Sequence, residues 1–287
     1  MPTKIEKDAV TGVETTGHEW DGLRELNNPL PRWWLYTFYA TIAACVVYWV
    51  LYPSWPTLSG HTEGLLGYSR RDVVVREIAL AREGQSAFLD RIATAGLPEI
   101  QADPELLNFA MAGGRTAFAD NCAGCHGAGG AGAAGYPSLA DDEWIWGGTL
   151  DDIHLTLEHG VRWTGGETRI ADMPRFGADR ILDKVQIDDI AEYVLSLTGT
   201  VTDEAERGKP LFADNCAACH GDAGEGNREM GAPALNDAIW LYGGTKKAIV
   251  AQINAPRHGQ MPAWSGRLDP VTLKQLAIYV HGLGGGE

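Results

Sequence analysis

The first long break in the mixture of apolar and polar residues is WWLYTFYATIAACVVYWVLY, Trp33 to Tyr52, twenty residues without a charge. At a helical rise of about 1.5 Å per residue, such a run covers roughly the 30 Å hydrocarbon core of a bilayer. Aromatic rings crowd both ends (Trp33, Trp34 and Tyr36; Tyr48, Trp49, Tyr52 and Trp55), where amphipathic rings sit at headgroup level. Pro29 and Pro31 precede the run and Pro53 and Pro56 follow it, which sets its limits. A buried core helix is rarely apolar all round over this length. A cleaved leader has neither a 32-residue polar lead nor Pro-Ser-Trp-Pro behind its apolar stretch. The pattern predicts one membrane-spanning helix over 33–52, with Cys45 a small apolar packing residue inside it.

Beyond the span the periodicity is helical. Val73, Val74, Ile78, Leu80, Phe88, Leu89 and Ile92 predict an amphipathic helix over 70–95, within a connecting segment 53–104. Such a helix lies on the membrane surface or on a partner, or packs on the domain that follows. In LDKVQIDDIAEYVLSL, residues Val185, Ile187, Ile190, Val194 and Leu197 fall mainly on one stripe. Asp269-Pro270 before TLKQLAIYVHGL reads as a cap followed by a first-turn proline, with Gly282 as the stop. No hairpin-like alternation stands out, so the expected class is all-α.

From about residue 105 the sequence repeats. One copy runs GRTAFADNCAGCHG, YPSLADDEWIWGGT, ADMPRFG, IAEYVLSLTG; the other runs RGKPLFADNCAACHG, APALNDAIWLYGGT, GQMPAWSG, LAIYVHGLGG. The parts keep their order, and the second copy is eight residues shorter between Gly-Gly-Thr and Met-Pro. The expected layout is a polar segment 1–32, the span 33–52, a linker 53–104, and tandem domains at 105–200 and 201–287.

Four of the five cysteines fall in these copies, as Cys122/Cys125 with His126 and Cys216/Cys219 with His220. Two thiols three apart at a helix start reach the two vinyl groups of one haem, and the adjacent histidine then lies under the iron. A zinc knuckle needs two further ligands nearby, and a thioredoxin-like pair needs a βαβ setting. Neither accompanies these motifs, so two covalent haem c groups are expected. Met173 and Met261, each in a Met-Pro pair at the matching place of its repeat, are the expected sixth ligands: Met173 with His126, Met261 with His220. Thioether ligation fills the last iron position, which suits electron transfer rather than substrate binding and speaks against a peroxidase-type enzyme. Met111 and Met230 read as packing or surface residues, and His154, His159 and His258 as solvated or hydrogen-bonded.

Other shared residues fit a haem-enclosing helical fold. Gly114 and Phe118 are expected to cross the helix bearing Tyr193, and Gly208 and Phe212 the helix bearing Tyr279. Pro137 and Pro233 stand either in simple turns or where a carbonyl accepts the proximal imidazole N–H. Trp144, Trp146 and Trp240 shield the haem or pack in the core.

The net charge of −15 argues against a nucleic-acid partner, which needs a basic face. Residues 105–200 carry 15 acidic and 6 basic side chains, and residues 201–287 carry 10 and 8. The first domain is therefore expected to offer an acidic surface to a basic donor, or merely a solvated acidic face. Lys4, Lys7, Arg24 and Arg32 precede the span, whereas the first basic residues after it are Arg70 and Arg71. The positive-inside rule then puts the N-terminus in the cytoplasm.

The polar lead HEWDGLRELNNPLPRWW, one span and two cytochrome c motifs together resemble the dihaem CcoP/FixP subunit family of cbb3-type cytochrome c oxidases, over almost the whole chain from about residue 17. The haem motifs are generic to cytochromes c; the N-terminal segment is what points to this family. The resemblance implies a bacterial inner-membrane protein with periplasmic haem domains. It implies partners: a soluble or membrane donor cytochrome c, a monohaem cytochrome c subunit, and the haem–copper catalytic subunit that reduces oxygen. Cys122, Cys125, His126, Met173, Cys216, Cys219, His220 and Met261 fall on that family's ligand positions. The other reading is a free-standing membrane dihaem cytochrome that shuttles electrons between complexes.

Overall fold

A computed structural model describes residues 4–287, which form two compact units, one ending at Glu83 and the other Gly84–Glu287. In the first unit, strands β1 (Thr15–Trp20) and β2 (Leu23–Leu26) pair antiparallel, with Trp20 opposite Leu23. Asp21 and Gly22 between them both have positive φ (49° and 86°), the geometry of a tight hairpin turn. This hairpin is the only sheet among the described residues, and it corrects the expectation of none.

Helix α1 (Arg32–Leu51) follows Pro31, and none of its side chains is buried by protein. It is the one helix among the described residues that is long and apolar enough to cross a membrane. After it the chain folds back: Leu65 N–H donates to the Val50 carbonyl at 2.9 Å, and Leu66 N–H to that of Leu51 at 3.1 Å. Gly64 makes this return possible. Its φ is +75°, and a side chain there would begin 2.5 Å from the Leu51 oxygen.

Helix α2 (Arg70–Thr94) runs from the first unit into the second. The second unit continues with α3 (Leu97–Ala102), α4 (Pro104–Asn121), α5 (Ala123–His126), α6 (Leu150–His159), α7 (Lys184–Ser196), α8 (Asp203–Asn215), α9 (Ala217–His220), α10 (Lys246–Asn254) and α11 (Pro270–His281). Side-chain caps start the longer ones. Asp103 accepts from the backbone N–H groups of Glu105 and Leu106, Asp183 from those of Val185 and Gln186, and Asp269 from those of Val271 and Thr272. The sequence repeat makes α8 to α11 the counterparts of α4 to α7.

Two cores result, and neither is built from one repeat. The first joins Ile92, Leu97 and Ile100 with Leu106, Ala110, Phe118, Ile153 and Leu157, and closes them with Leu273, Leu276 and Ile278 of α11. The second joins Ile187, Ile190 and Val194 of α7 with Phe212 of α8 and Ile249 and Ile253 of α10. Helix α4 thus packs on α11, and α7 on α8. The expected boundary at residue 200 divides the sequence but not the cores. Only residues 197–202 join α7 to α8, so the two fold directly onto each other and leave α4 to the C-terminal helix. The segment expected as a linker also contributes: Ile92 near the end of α2 and Leu97 and Ile100 of α3 belong to the first core. Lys274 Nζ donates to the carbonyls of Ile92, Ala93 and Ala95 at 3.1, 3.0 and 2.7 Å, and so places a cation on α2's C-terminus.

Candidate haem sites

Each Cys-x-x-Cys-His forms a single helical turn, α5 or α9, directly after a long helix. Cys122 and Cys216 are buried on their cores, while Cys125 is exposed and Cys219 half-buried. No disulfide joins any of the four. Burial, with the neighbouring thiol adding to it, pushes Cys122 and Cys216 each up to about 11. A thiol so far above neutral pH holds its proton, the reverse of an activated redox cysteine.

The His126 Nδ1 lies 3.0 Å from the Pro137 carbonyl oxygen, and His220 Nδ1 lies 2.9 Å from that of Pro233. A carbonyl only accepts, so Nδ1 carries the proton and Nε2 keeps its lone pair for a metal. Of the two readings of these prolines, the carbonyl role is the one the geometry matches. Burial pushes the His220 imidazole below its ordinary value, partly offset by the Pro233 carbonyl, the direction that favours the neutral ring.

The helix crossings follow the exchanged pairing rather than the expected one. Gly114 lies against α11, where an added Cβ would sit 2.2 Å from the Gln275 oxygen and 2.6 Å from the Tyr279 Cβ. Gly208 lies against α7, where it would sit 2.0 Å from the Asp189 oxygen. Phe118 and Tyr279 rings stand 5.4 Å apart, and Phe212 and Tyr193 rings 5.1 Å. Gly114 and Phe118 therefore meet Tyr279, and Gly208 and Phe212 meet Tyr193.

The methionines are exchanged too. Met261 packs on the first core, with Cys122, whereas Met173 packs on the second, with Cys216. The pairing expected within each repeat, Met173 with His126 and Met261 with His220, runs against this packing. The short α7–α8 connection is compatible with this: once α7 joins α8, the Met-Pro loop just before it goes with it.

Trp144 packs on the first core and Trp240 on the second. Trp146 instead lies on Gly231 of the other repeat, as its counterpart Tyr242 lies on Gly135. The Gly135 N–H donates to the Leu241 carbonyl at 2.8 Å, so the two loops that carry the histidine-holding carbonyls interlock. Between them is a cavity of about 290 Å³, lined by Pro137, Trp144, Pro233 and Trp240 among others. Arg169 Nε is buried without a partner among the described residues, although the same guanidinium reaches Asp152 at 3.0 Å and covers Trp146. An unanswered buried donor beside these rings fits the carboxylate of a haem propionate. Among the histidines set aside in the sequence, His258 matters: its Nε2 accepts from the Met173 N–H at 3.1 Å.

Three family models match in succession: the N-terminal domain of cytochrome oxidase-cbb3, FixP, at residues 12–59; cytochrome c at 111–198; and cytochrome c oxidase, cbb3-type, subunit III at 203–280. The chain is 55% identical to the cbb3-type cytochrome c oxidase subunit CcoP of Azospirillum brasilense, over 98% of this chain and 99% of that one. It is 54% identical to the FixP subunit of Sinorhizobium medicae, over 98% and 97%. It is 49% identical to the CcoP subunit of Cereibacter sphaeroides over the full length of both. With two cytochrome c domains behind one apolar helix, and likeness of this extent from end to end, the chain belongs to the CcoP/FixP family of cbb3-type cytochrome c oxidase subunits.

Proposed function

We propose that this chain is the electron-input subunit of a cbb3-type oxidase, anchored by α1 with its N-terminus cytoplasmic and its haem-binding unit periplasmic. Two haem c groups are held covalently, one by Cys122 and Cys125 and the other by Cys216 and Cys219. His126 and Met261 would hold the first iron, and His220 and Met173 the second. When bound, haem supplies one-electron redox chemistry. The protein's part is to fix the ligands and to fill both axial positions. The carbonyls of Pro137 and Pro233 orient the imidazoles. The interlocked loops around Gly135, Trp146, Gly231 and Tyr242 keep the two sites at a constant separation, which electron exchange between them requires.

The observation that carries this reading is the doubled histidine–carbonyl clamp, each with a methionine packed on the same core. Electrons are proposed to enter from a donor cytochrome c and to leave through a monohaem cytochrome c subunit toward the haem–copper subunit. Purification from native membranes in mild detergent tests it. Haem b and copper that co-purify with the c-type spectrum, with oxygen uptake, are expected. A product with two c haems and no partner would favour a free membrane shuttle instead.

A further inference from the structure

The two Met-Pro loops come from different repeats and serve different cores, yet one side chain holds both. Arg162 Nε donates to the Ala171 carbonyl at 3.1 Å and to Asp172 Oδ1 at 2.8 Å, and its Nη2 also donates to Ala171. Its Nη1 donates to the Gly259 carbonyl at 3.0 Å. Ala171 lies two residues before Met173, and Gly259 two residues before Met261. The same guanidinium therefore grips the equivalent carbonyl of each loop.

The backbone around Arg162 is built for this. The Val161 N–H donates to the Met261 carbonyl at 2.9 Å and the Met261 N–H to the Val161 carbonyl at 3.0 Å, so the Met261 loop is stitched to the residue before the arginine. In return, His258 of the Met261 loop accepts the Met173 N–H. Arg162 itself has φ +51°, a left-handed conformation that a side-chain-bearing residue adopts only where its surroundings impose it. Its side chain is 19% exposed. A planar fork with five donors on three nitrogens reaches the carbonyls of two separate loops from one position, a wider span than a single ammonium nitrogen has.

We propose that Arg162 is a positioning residue shared by both axial methionines, so that the two haem sites depend on one guanidinium for their sixth ligands. This rests on the ligand assignment given above. The second repeat places Arg257 at the same distance from the end of its helix, but that guanidinium donates to the Tyr242 carbonyl at 3.3 Å and covers the Tyr242 ring, so Arg162 alone reaches both Met-Pro loops. It therefore acts once for the pair, and the two methionines are expected to be lost together rather than independently.

The test uses the full chain with both haems attached. Its readouts are the far-red absorption band that a thioether–ferric iron bond produces and the midpoint potentials of the two haems. Arg162→Ala is expected to remove the band from both haems and to lower both potentials, with the covalent haem content unchanged. Arg162→Lys keeps the charge but not the span, and is expected to lose the band from at least one haem. Ile190→Ala, which loosens the second core alone, serves as the comparison and is expected to leave the band of the first haem intact. If Arg162→Ala does not accumulate, Arg162→Gln carries the same readouts. Full bands and unchanged potentials in the arginine variants overturn the proposal, as does loss confined to one haem in Arg162→Ala. Met173→Ala and Met261→Ala are measured separately. Loss of one haem's band in each upholds the ligand assignment, and no loss in either overturns that assignment and this proposal with it.

Discussion

Leu276 and Ile190 occupy equivalent positions in the two repeats, on α11 and α7, and both are completely buried. If each repeat formed its own domain, truncating Leu276 would weaken the packing of α8, since α8 belongs to the second repeat. In this structure Leu276 lies in the core that contains Ala110 and Phe118 of α4, so α4 should suffer. Leu→Ala at a fully buried site costs about 2–5 kcal/mol, the lost burial plus the cavity left behind. Even the lower figure corresponds to roughly 30-fold more opening. Amide hydrogen exchange resolved by segment reads this directly. Leu276→Ala is expected to speed exchange in α4 by at least that factor and to leave α8 near its original rate. Ile190→Ala should do the reverse. Acceleration of α8 in the Leu276 variant, or equal acceleration of both helices, would refute the two exchanged cores.

Gly208→Ala places a methyl group where the Asp189 carbonyl now lies 2.0 Å away, and should cost about 1–3 kcal/mol through forced separation of α7 and α8, measured as a lowered denaturation midpoint. Asp269 is partly buried, which pushes its carboxyl up, but hydrogen bonds from Thr272 and the backbone outweigh this and hold it below its ordinary 3.8. The folded chain thus binds that proton less readily than the unfolded one. Its stabilising contribution is complete above the ordinary value and fades as pH falls through the depressed one. Asp269→Asn should remove this acid-side loss, as read from unfolding curves between neutral and strongly acid pH, while a cap is retained. With the cores as found, residues 84–160 and 261–287 carry 13 acidic and 4 basic side chains, against 15 and 11 for residues 161–260, so the first haem core keeps the more acidic surface. Oxidation of a basic donor cytochrome should therefore slow as salt rises, and a salt-independent rate would sink the idea.

The span, the cysteine–histidine motifs and the cap at Asp269 were legible because each depends on neighbours in sequence. The hairpin at Thr15–Leu26 was missed although Asp21-Gly22 is a strong turn signal. Most of its side chains are exposed, so no apolar alternation marked the strands. The exchange of helices was hidden for a different reason. Gly114 and Gly208, Phe118 and Phe212, Tyr193 and Tyr279 are the same residues in both copies, so each half of a crossing fits either partner. Arg162 and His258 stand outside the shared motifs; only the three-dimensional meeting of the two Met-Pro loops gives them a role.

Where the repeats differ, charge favours the pairing that is found. Asp188 and Lys274 are equivalent, as are Asp189 and Gln275, and Arg207 and Gly113. Lys246 of α10 binds Asp188 at 2.7 Å and Glu192 at 2.8 Å, contacts that push it up to about 12. Arg207 holds Asp189 through two nitrogens, at 3.1 and 2.8 Å. Were α7 and α11 to change places, Lys274 would face Lys246, and Asp188 would face the three carbonyls that end α2. Asp189 would meet Gly113 and lose its arginine. Each change leaves a charge opposed or unpaired, so the tandem arrangement is disfavoured even though its apolar contacts match. The double variant Asp188→Lys with Lys274→Asp inverts this preference at both places. If charge selects the partner, adding Leu276→Ala to that background should now speed exchange in α8. If the effect stays in α4, the short connection at 197–202 dictates the pairing by itself, and the charges only strengthen a choice already made by chain length.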